Sequence, residues 1–248
     1  MIVSIAQFKS ELGKVDENFS TAARLIEAAH SSDVILLPEL WSTGYYPMPV
    51  ETFADIDGLR TIEFLCTAAK RFNVNIIGGS VIVESGRKIF NRCHVVNRRG
   101  EVIAAYDKTH LFSFAGEDKV FSAGDKVSVV TLDGVRSGVA ICYDLRFPEF
   151  IRNIALAGAE IIFIPAAWSL KRLTPRQVLT KARAIENQAF VVFANSSGLS
   201  EVVNPRGEVI ALSGRDEELL SAEISLDERT EVIATMNLLA DRNLSVDA

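Results

Sequence analysis

Apolar positions along the chain switch between a period near two and a period near 3.6. Residues 2–8 (I-V-S-I-A-Q-F) are rich in β-branched side chains and read as a strand; after Asp16, a residue type suited to an N-cap, Phe19, Ala22, Ala23, Ile26 and Ala29 recur at helical spacing. The run D-V-I-L-L-P-E-L (33–40) is a short continuous apolar strand of the fully buried kind. Pro38 stops it, which leaves Glu39 just past a strand end. A helix is predicted over Leu59–Phe72, with Ile62, Leu65, Cys66 and Ala69 on one face. Strand-like runs at 75–83, 89–97 and 101–106, separated by the turn signals S-G-R-K and R-R-G, predict an antiparallel meander in which Cys93 and His94 serve packing or surface. The meander ends in Y-D-K-T-H-L-F, so Lys108 also follows a strand end.

In the second half, V-S-V-V-T-L, the turn D-G and V-R-S-G-V-A-I predict a hairpin that delivers Cys142. A helix over 148–158, a strand over 160–165 and a helix over 176–187 follow. A strand over 189–196, a hairpin over 202–212, a short strand near 221–225 and a last helix near 227–239 complete the pattern. With 248 residues, 48% of them hydrophobic, and no linker, low-complexity run or fixed-period repeat, the expectation is one domain over 1–248.

Charge and motif content remove several function classes. A net charge of −6, with no Lys/Arg run longer than a pair, offers no basic face to phosphate backbones, so nucleic acid is not expected as a partner. No segment approaches bilayer-spanning length and the first residues lack a basic region, which predicts a soluble, cytoplasmic protein with no membrane partner. Three distant cysteines, Cys66, Cys93 and Cys142, suit reduced thiols, with Cys66 assigned to the core. The three histidines form no metal-ligand spacing, and G-x-x-x-x-G-K-[ST], G-x-S-x-G and G-x-G-x-x-G are absent; neither metal nor cofactor is expected.

Chemistry centres on S-G-V-A-I-C-Y-D-L-R-F-P-E-F (137–150). A thiol between a strand and a helix sits where backbone N–H groups are free and the helix field is positive, which favours a thiolate and a nearby oxyanion. Taken singly, Cys142 also reads as a small buried hydrophobe, Glu39 as a solvated or capping carboxylate, and Lys108 as a solvated surface cation. As a set they are chemically coherent: a glutamate can take the thiol proton and a lysine can hold an oxyanion. Trp41, Tyr45 and Tyr46 either wall a pocket or cover the core edge. The non-periodic loop F-S-F-A-G-E-D-K-V-F-S-A-G-D contains Glu117, and long irregular loops in compact domains tend to carry function. Arg172, Arg176 and Arg183 add cations around the loop A-A-W-S-L-K-R-L-T-P.

The chain resembles the nitrilase or carbon-nitrogen hydrolase superfamily through L-P-E-L (37–40), D-K-T-H-L-F (107–112), A-G-E (115–117), I-C-Y-D-L-R-F-P-E (141–149) and A-R-A-I-E-N-Q (182–188). C-Y-D-L-R-F-P-E is similar to the Nit/ω-amidase branch rather than to true nitrilases. The resemblance implies an α/β fold, a four-layer αββα sandwich, that forms homodimers or larger homo-oligomers. It implies catalytic roles for Glu39, Lys108, Cys142 and Glu117, with Lys108 and the Tyr143 backbone N–H holding the oxyanion. Tyr45, Trp168, Arg172 and Arg176 are the candidate substrate-binding residues.

The expected activity is cysteine-dependent hydrolysis of a small linear amide, releasing ammonia through a thioester, with a dicarboxylic acid monoamide as substrate. An N-carbamoyl or other aliphatic amide is the alternative, and a non-catalytic scaffold the second. Two places depart from the family pattern. Only Leu199 to Val203 separate N-S-S-G from the N-P-x-G hairpin, which leaves the site mouth either more open or completed by another subunit. Pro175-Arg176 replaces the usual His-Trp, which predicts Arg176 as a bidentate ligand for a substrate carboxylate.

Overall fold

Short runs of branched apolar residues form strands, and helices with one apolar stripe connect the parallel ones. The computed structural model describes residues 1–243. In chain order it has β1 (Ile2–Gln7), α1 (Val15–Ala28), β2 (Val34–Leu36), β3 (Asp55–Ile56), α2 (Leu59–Phe72), β4 (Asn75–Ile77), β5 (Val81–Ser85), β6 (Lys88–Val96) and β7 (Val102–Asp107). The second half has β8 (Ser128–Leu132), β9 (Val135–Val139), α3 (Pro148–Leu156), β10 (Ile161–Ala166), α4 (Leu173–Asn187), β11 (Phe190–Asn195), β12 (Glu201–Val203), β13 (Val209–Leu212), β14 (Glu218–Glu223) and α5 (Leu226–Thr235). Residues 244–248, which the expected domain includes, lie outside the described residues.

Two sheets result. The first runs β14-β1-β2-β4-β6-β5-β3 with β7 also paired to β6; the second runs β13-β12-β11-β10-β9-β8. β1, β2 and β4 are parallel, as are β9, β10 and β11, so α1, α2, α3 and α4 are crossover helices of βαβ units. The pleat sorts the side chains. Val34 and Leu36 join Val3 and Ile5 in the core shared with the second sheet, while Ile35 and Leu37 pack against Ala22, Ile26, Leu65 and Ala69 of α1 and α2. Phe150, Ile151 and Ile154 of α3 and Ala184 of α4 cover the other side. The architecture is the αββα sandwich. No helix among the described residues is long and apolar enough to cross a membrane.

Several local expectations shift by a turn or a face. Asp16 lies in the first turn of α1, whose N-cap is Lys14, and Ala23 is exposed. α2 has its predicted bounds, but its buried stripe is Thr61, Leu65, Ala68 and Ala69, and Cys66 is half-buried. The predicted strand 75–83 is two strands broken at Gly78-Gly79. A Cβ at Gly78 would collide with the Leu65 side chain, and one at Gly79, where φ is +62°, would collide with the Pro38 carbonyl. This close approach seats the backbone that carries Glu39.

His94, on β6, is buried with neither ring nitrogen hydrogen-bonded among the described residues, and Gly58 packs against its Nε2. Burial, reinforced by Arg92 and opposed by Asp55 and Asp107, lowers its pKa to about 4. An unfolded histidine titrates near 6.5, so between about pH 6.5 and 4 the unfolded chain binds more protons than the native one. Stability is therefore expected to fall as the pH drops through that window, by on the order of 3 kcal/mol at its foot. Urea denaturation of the wild type and of His94→Leu across the window checks this, since the variant should lack that part of the slope.

Candidate active site

Four strand ends converge on one end of the sandwich. Glu39 follows β2, Lys108 follows β7, Cys142 follows β9 and Ala167 follows β10, so the two sheets contribute to one cluster. Lys108 Nζ donates to Glu39 Oε1 at 2.8 Å and to Glu117 Oε1 at 2.9 Å, and all three side chains are buried. The remaining capacity of the carboxylates is filled. Asn91 Nδ2 donates to Glu39 Oε1 at 3.0 Å and the Ala167 N–H to Oε2 at 2.8 Å. Tyr45 donates its hydroxyl proton to Glu117 Oε1 at 2.8 Å, and the Phe112 N–H donates to Oε2 at 2.8 Å. Buried charges persist only when paired and hydrogen-bonded in this way.

The electrostatics define the resting protonation states. Burial alone would discharge Lys108, but Glu39, Cys142 and Glu117 outweigh it and hold its pKa above the usual lysine value, so it stays an ammonium. Burial first, then the charge of Glu39, pushes the Cys142 thiol well up, with Lys108 opposing. The resting pair is thus a thiol beside a carboxylate. This corrects the expectation of a thiolate favoured by a helix N-terminus: the residues after Cys142 form a 3₁₀ turn, Cys142–Arg146, and α3 starts only at Pro148. Tyr45 is likewise pushed up, by burial and then by Glu39 and Glu117, and remains a donor.

Cys142 has φ +46°, a left-handed value that an L side chain adopts only when its surroundings hold it there. The Tyr143 N–H, next in the chain, makes no hydrogen bond among the described residues. Above Cys142 opens a cavity of about 690 Å³. Tyr45, Phe112, Phe114, Tyr143 and Trp168 give it aromatic walls, and Lys9, Arg146, Lys171 and Arg172 line it too. No carboxylate reaches that lining, and none of these four cations makes an ion pair among the described residues. The Arg146 guanidinium lies 4.7 Å from the Trp168 ring centre, and that of Arg172 lies 4.9 Å from the Phe114 ring.

Of the candidate substrate-binding residues, Tyr45, Trp168 and Arg172 line the cavity and Arg176 does not. Helix α4 starts at Leu173, three residues before the predicted start, which turns Arg176 onto the inward stripe with Thr180, Arg183 and Asn187. There Arg176 Nη1 lies 2.7 Å from Glu201 Oε1, with the guanidinium 5.2 Å from the centre of the Phe193 ring. Arg176 is a buried ion-pair partner, not a ligand for substrate. Arg176→Ala is expected to cost about 3–5 kcal/mol of stability by stranding Glu201. Chemical denaturation reads that loss, and KM values for charged and neutral amides should move no differently from each other.

Trp41 covers the core, donating its Nε1–H to Gly78 O and packing edge-on against Phe19. The short loop after Asn195 is tied down within the chain. Ser200 donates its N–H (2.9 Å) and its hydroxyl (2.7 Å) to Gln7 Oε1, and Asn195 Nδ2 donates to Gly198 O at 2.7 Å. Ser197 and Lys9 then close that side of the mouth. Sequence patterns did not point to Asn91, the Ala167 and Phe112 N–H groups, Phe112, Phe114, Lys9, Arg146 or Lys171. The clearest available signal among these was Arg146, inside C-Y-D-L-R.

The profile of the carbon-nitrogen hydrolase family matches residues 2–234. The 2-oxoglutaramate amidase of Bacillus subtilis is 39% identical to this chain over 249 residues, 96% of each protein. Omega-amidase NIT2-A of Xenopus laevis is 31% identical, over 93% of this chain and 90% of its own. Among solved structures, a CN-hydrolase superfamily protein of Xanthomonas campestris, described with an arsenic adduct in its active site, superposes with a TM-score of 0.92 at 28% identity over 100% of this chain and 99% of its own. Nit3 of Saccharomyces cerevisiae gives 0.90 at 26% identity, over 96% and 94%.

Proposed function

This chain belongs to the carbon-nitrogen hydrolase family, and from that membership we propose that it hydrolyses the terminal amide of a small dicarboxylic acid monoamide, releasing ammonia. Glu39 takes the thiol proton as Cys142 Sγ attacks the amide carbon. Lys108 Nζ and the Tyr143 N–H hold the resulting oxyanion. As the intermediate collapses the C–N bond breaks, Glu39 returns its proton to the nitrogen, and ammonia leaves a thioester. Glu39 then deprotonates a water that attacks the thioester carbonyl, and the thiol is restored as the acid departs. Glu117 fixes the ammonium of Lys108 against this sequence of charges, and Tyr45 holds Glu117.

The observation that carries the substrate class is the cationic lining without an acidic partner, on a chain whose net charge is −6. The names of two relatives, 2-oxoglutaramate amidase and omega-amidase, support the same class. Arg146, which makes no ion pair among the described residues and whose guanidinium lies 4.7 Å from the Trp168 ring centre, offers the distal carboxylate a planar fork. The three free cysteines fit a reducing cytoplasm. Exposed Leu156, Val178 and Ile185 on the outer helices fit a homodimer face.

Ammonia release by the purified protein tests the reading, across dicarboxylic monoamides, neutral aliphatic amides of equal length and N-carbamoyl amino acids. The charged monoamides should lead neutral amides by roughly 10- to 100-fold in kcat/KM, the worth of one charge-assisted pair. Arg146→Ala should remove most of that lead while sparing neutral amides. Equal kcat/KM for charged and neutral amides would overturn the substrate class, and preference for the carbamoyl compounds would replace it.

A further inference from the structure

We propose that Asp144 is a positioning residue that fixes the spacing between Lys108 and Cys142. Its carboxylate is fully buried and accepts four hydrogen bonds. Oδ2 accepts from the Ile141 N–H at 2.8 Å and the Tyr106 hydroxyl at 2.7 Å; Oδ1 accepts from the His110 N–H at 2.9 Å and His110 Nδ1 at 2.8 Å. The positions of these donors are informative. Tyr106 and His110 stand two residues before and two after Lys108, and Ile141 immediately precedes Cys142. One carboxylate therefore ties both flanks of the lysine, on the first sheet, to the turn bearing the thiol, on the second.

The turn needs such a tie. Cys142 holds φ +46°, and the Asp144 N–H closes the same turn on Ile141 O at 3.0 Å. His110 is itself fixed, its ring stacked on Phe147 at 3.7 Å between centres with 12° between planes. Backbone bonds hold Lys108 to β6, from its N–H to Asn91 O, and to the connection before β8, from the Gly124 N–H to its carbonyl. Across the two sheets its side chain is tied through Glu39 to the Ala167 N–H, and its backbone flanks are tied to the Cys142 turn by the Asp144 bridge. Four donors converging on one side chain call for an acceptor on both oxygens. Asparagine offers one acceptor and turns N–H bonds toward one pair of donors, the Ile141 N–H and Tyr106 or the two of His110.

The proposal rests on Lys108 and Cys142 being the reacting pair, and the test separates the two ideas. Asp144→Asn and Tyr106→Phe, in the full chain, are compared with wild type for kcat and KM on the preferred amide. The same proteins are compared for thermal unfolding and for the pH profile of Cys142 alkylation by iodoacetamide, read by peptide mass spectrometry. A folded Asp144→Asn should lose on the order of 100-fold in kcat, the scale of an ångström-size misplacement, with KM within about threefold. Its alkylation profile should move to higher pH as the ammonium leaves the thiol. A folded variant with kcat within about threefold of wild type, or an unmoved profile, overturns the proposal. Should Asp144→Asn not fold, Tyr106→Phe decides: roughly fivefold lower kcat with a profile moved the same way supports the tie, and wild-type values refute it. If wild type turns over no amide, the reaction assignment fails separately and the alkylation profiles alone decide the tie, a shift to higher pH supporting it and an unmoved profile refuting it.

Discussion

Cys142→Ala should leave a folded protein whose amide turnover falls by at least about 10⁴-fold, since removing the nucleophile of a covalent mechanism removes the acyl-enzyme route altogether. Folding should survive because the deleted sulfur borders an open cavity and the hydrogen bonds of the turn come from Asp144 and the backbone. The backbone strain offers a control. At φ +46° any L side chain carries a cost of roughly 1–2 kcal/mol that glycine avoids, so Cys142→Gly should melt at or above Cys142→Ala while being equally inactive. Ammonia release at enzyme concentrations high enough to see 10⁻⁴ of wild-type turnover makes the measurement. Retention of a tenth of the activity by either variant would remove Cys142 from the chemistry.

The parts of this site legible in the sequence share one feature. Glu39, Lys108 and Cys142 each follow an apolar run with a clear end, so strand termini permitted them to share one rim, and the family resemblance turned that into roles. Glu117 lies in an irregular loop with no period, and its role entered through family resemblance. What escaped depended on close contacts that no local pattern encodes. The kink at Gly78-Gly79 exists because Leu65 and the Pro38 backbone crowd those two residues, and in sequence it looks like one long strand.

Arg176 departs from its expected place for a related reason. Pro175 reads as the end of a loop, yet proline is tolerated in the first turn of a helix, where its missing N–H costs nothing. A helix start three residues earlier rotates the arginine from the cavity to the core. Trp41 and Tyr45, four residues apart in one aromatic loop, are indistinguishable by composition; packing under α1 and α2 takes the first, and a hydrogen bond to Glu117 takes the second.

Glu39→Gln should uncouple two roles that a single carboxylate performs. As the base, Glu39 accepts the thiol proton and later passes it to nitrogen; an amide can do neither, so kcat is expected to fall by about 10²–10⁴-fold, the usual worth of general acid–base catalysis. As a charge, Glu39 is second only to burial in raising the Cys142 pKa, and Lys108 acts in the opposite direction. Deleting the negative charge while keeping the ammonium therefore lowers the thiol pKa, and the alkylation profile of Cys142 should move to lower pH than in wild type. The variant would be a poorer enzyme with a more easily ionised cysteine. That pairing distinguishes a proton-transferring base from a group that merely supplies thiolate, for which activity and ionisation would change together. Measured side by side, lost turnover with an upward or unmoved profile would show that the charge of Glu39 does not act on Cys142, and retained turnover would assign the base elsewhere.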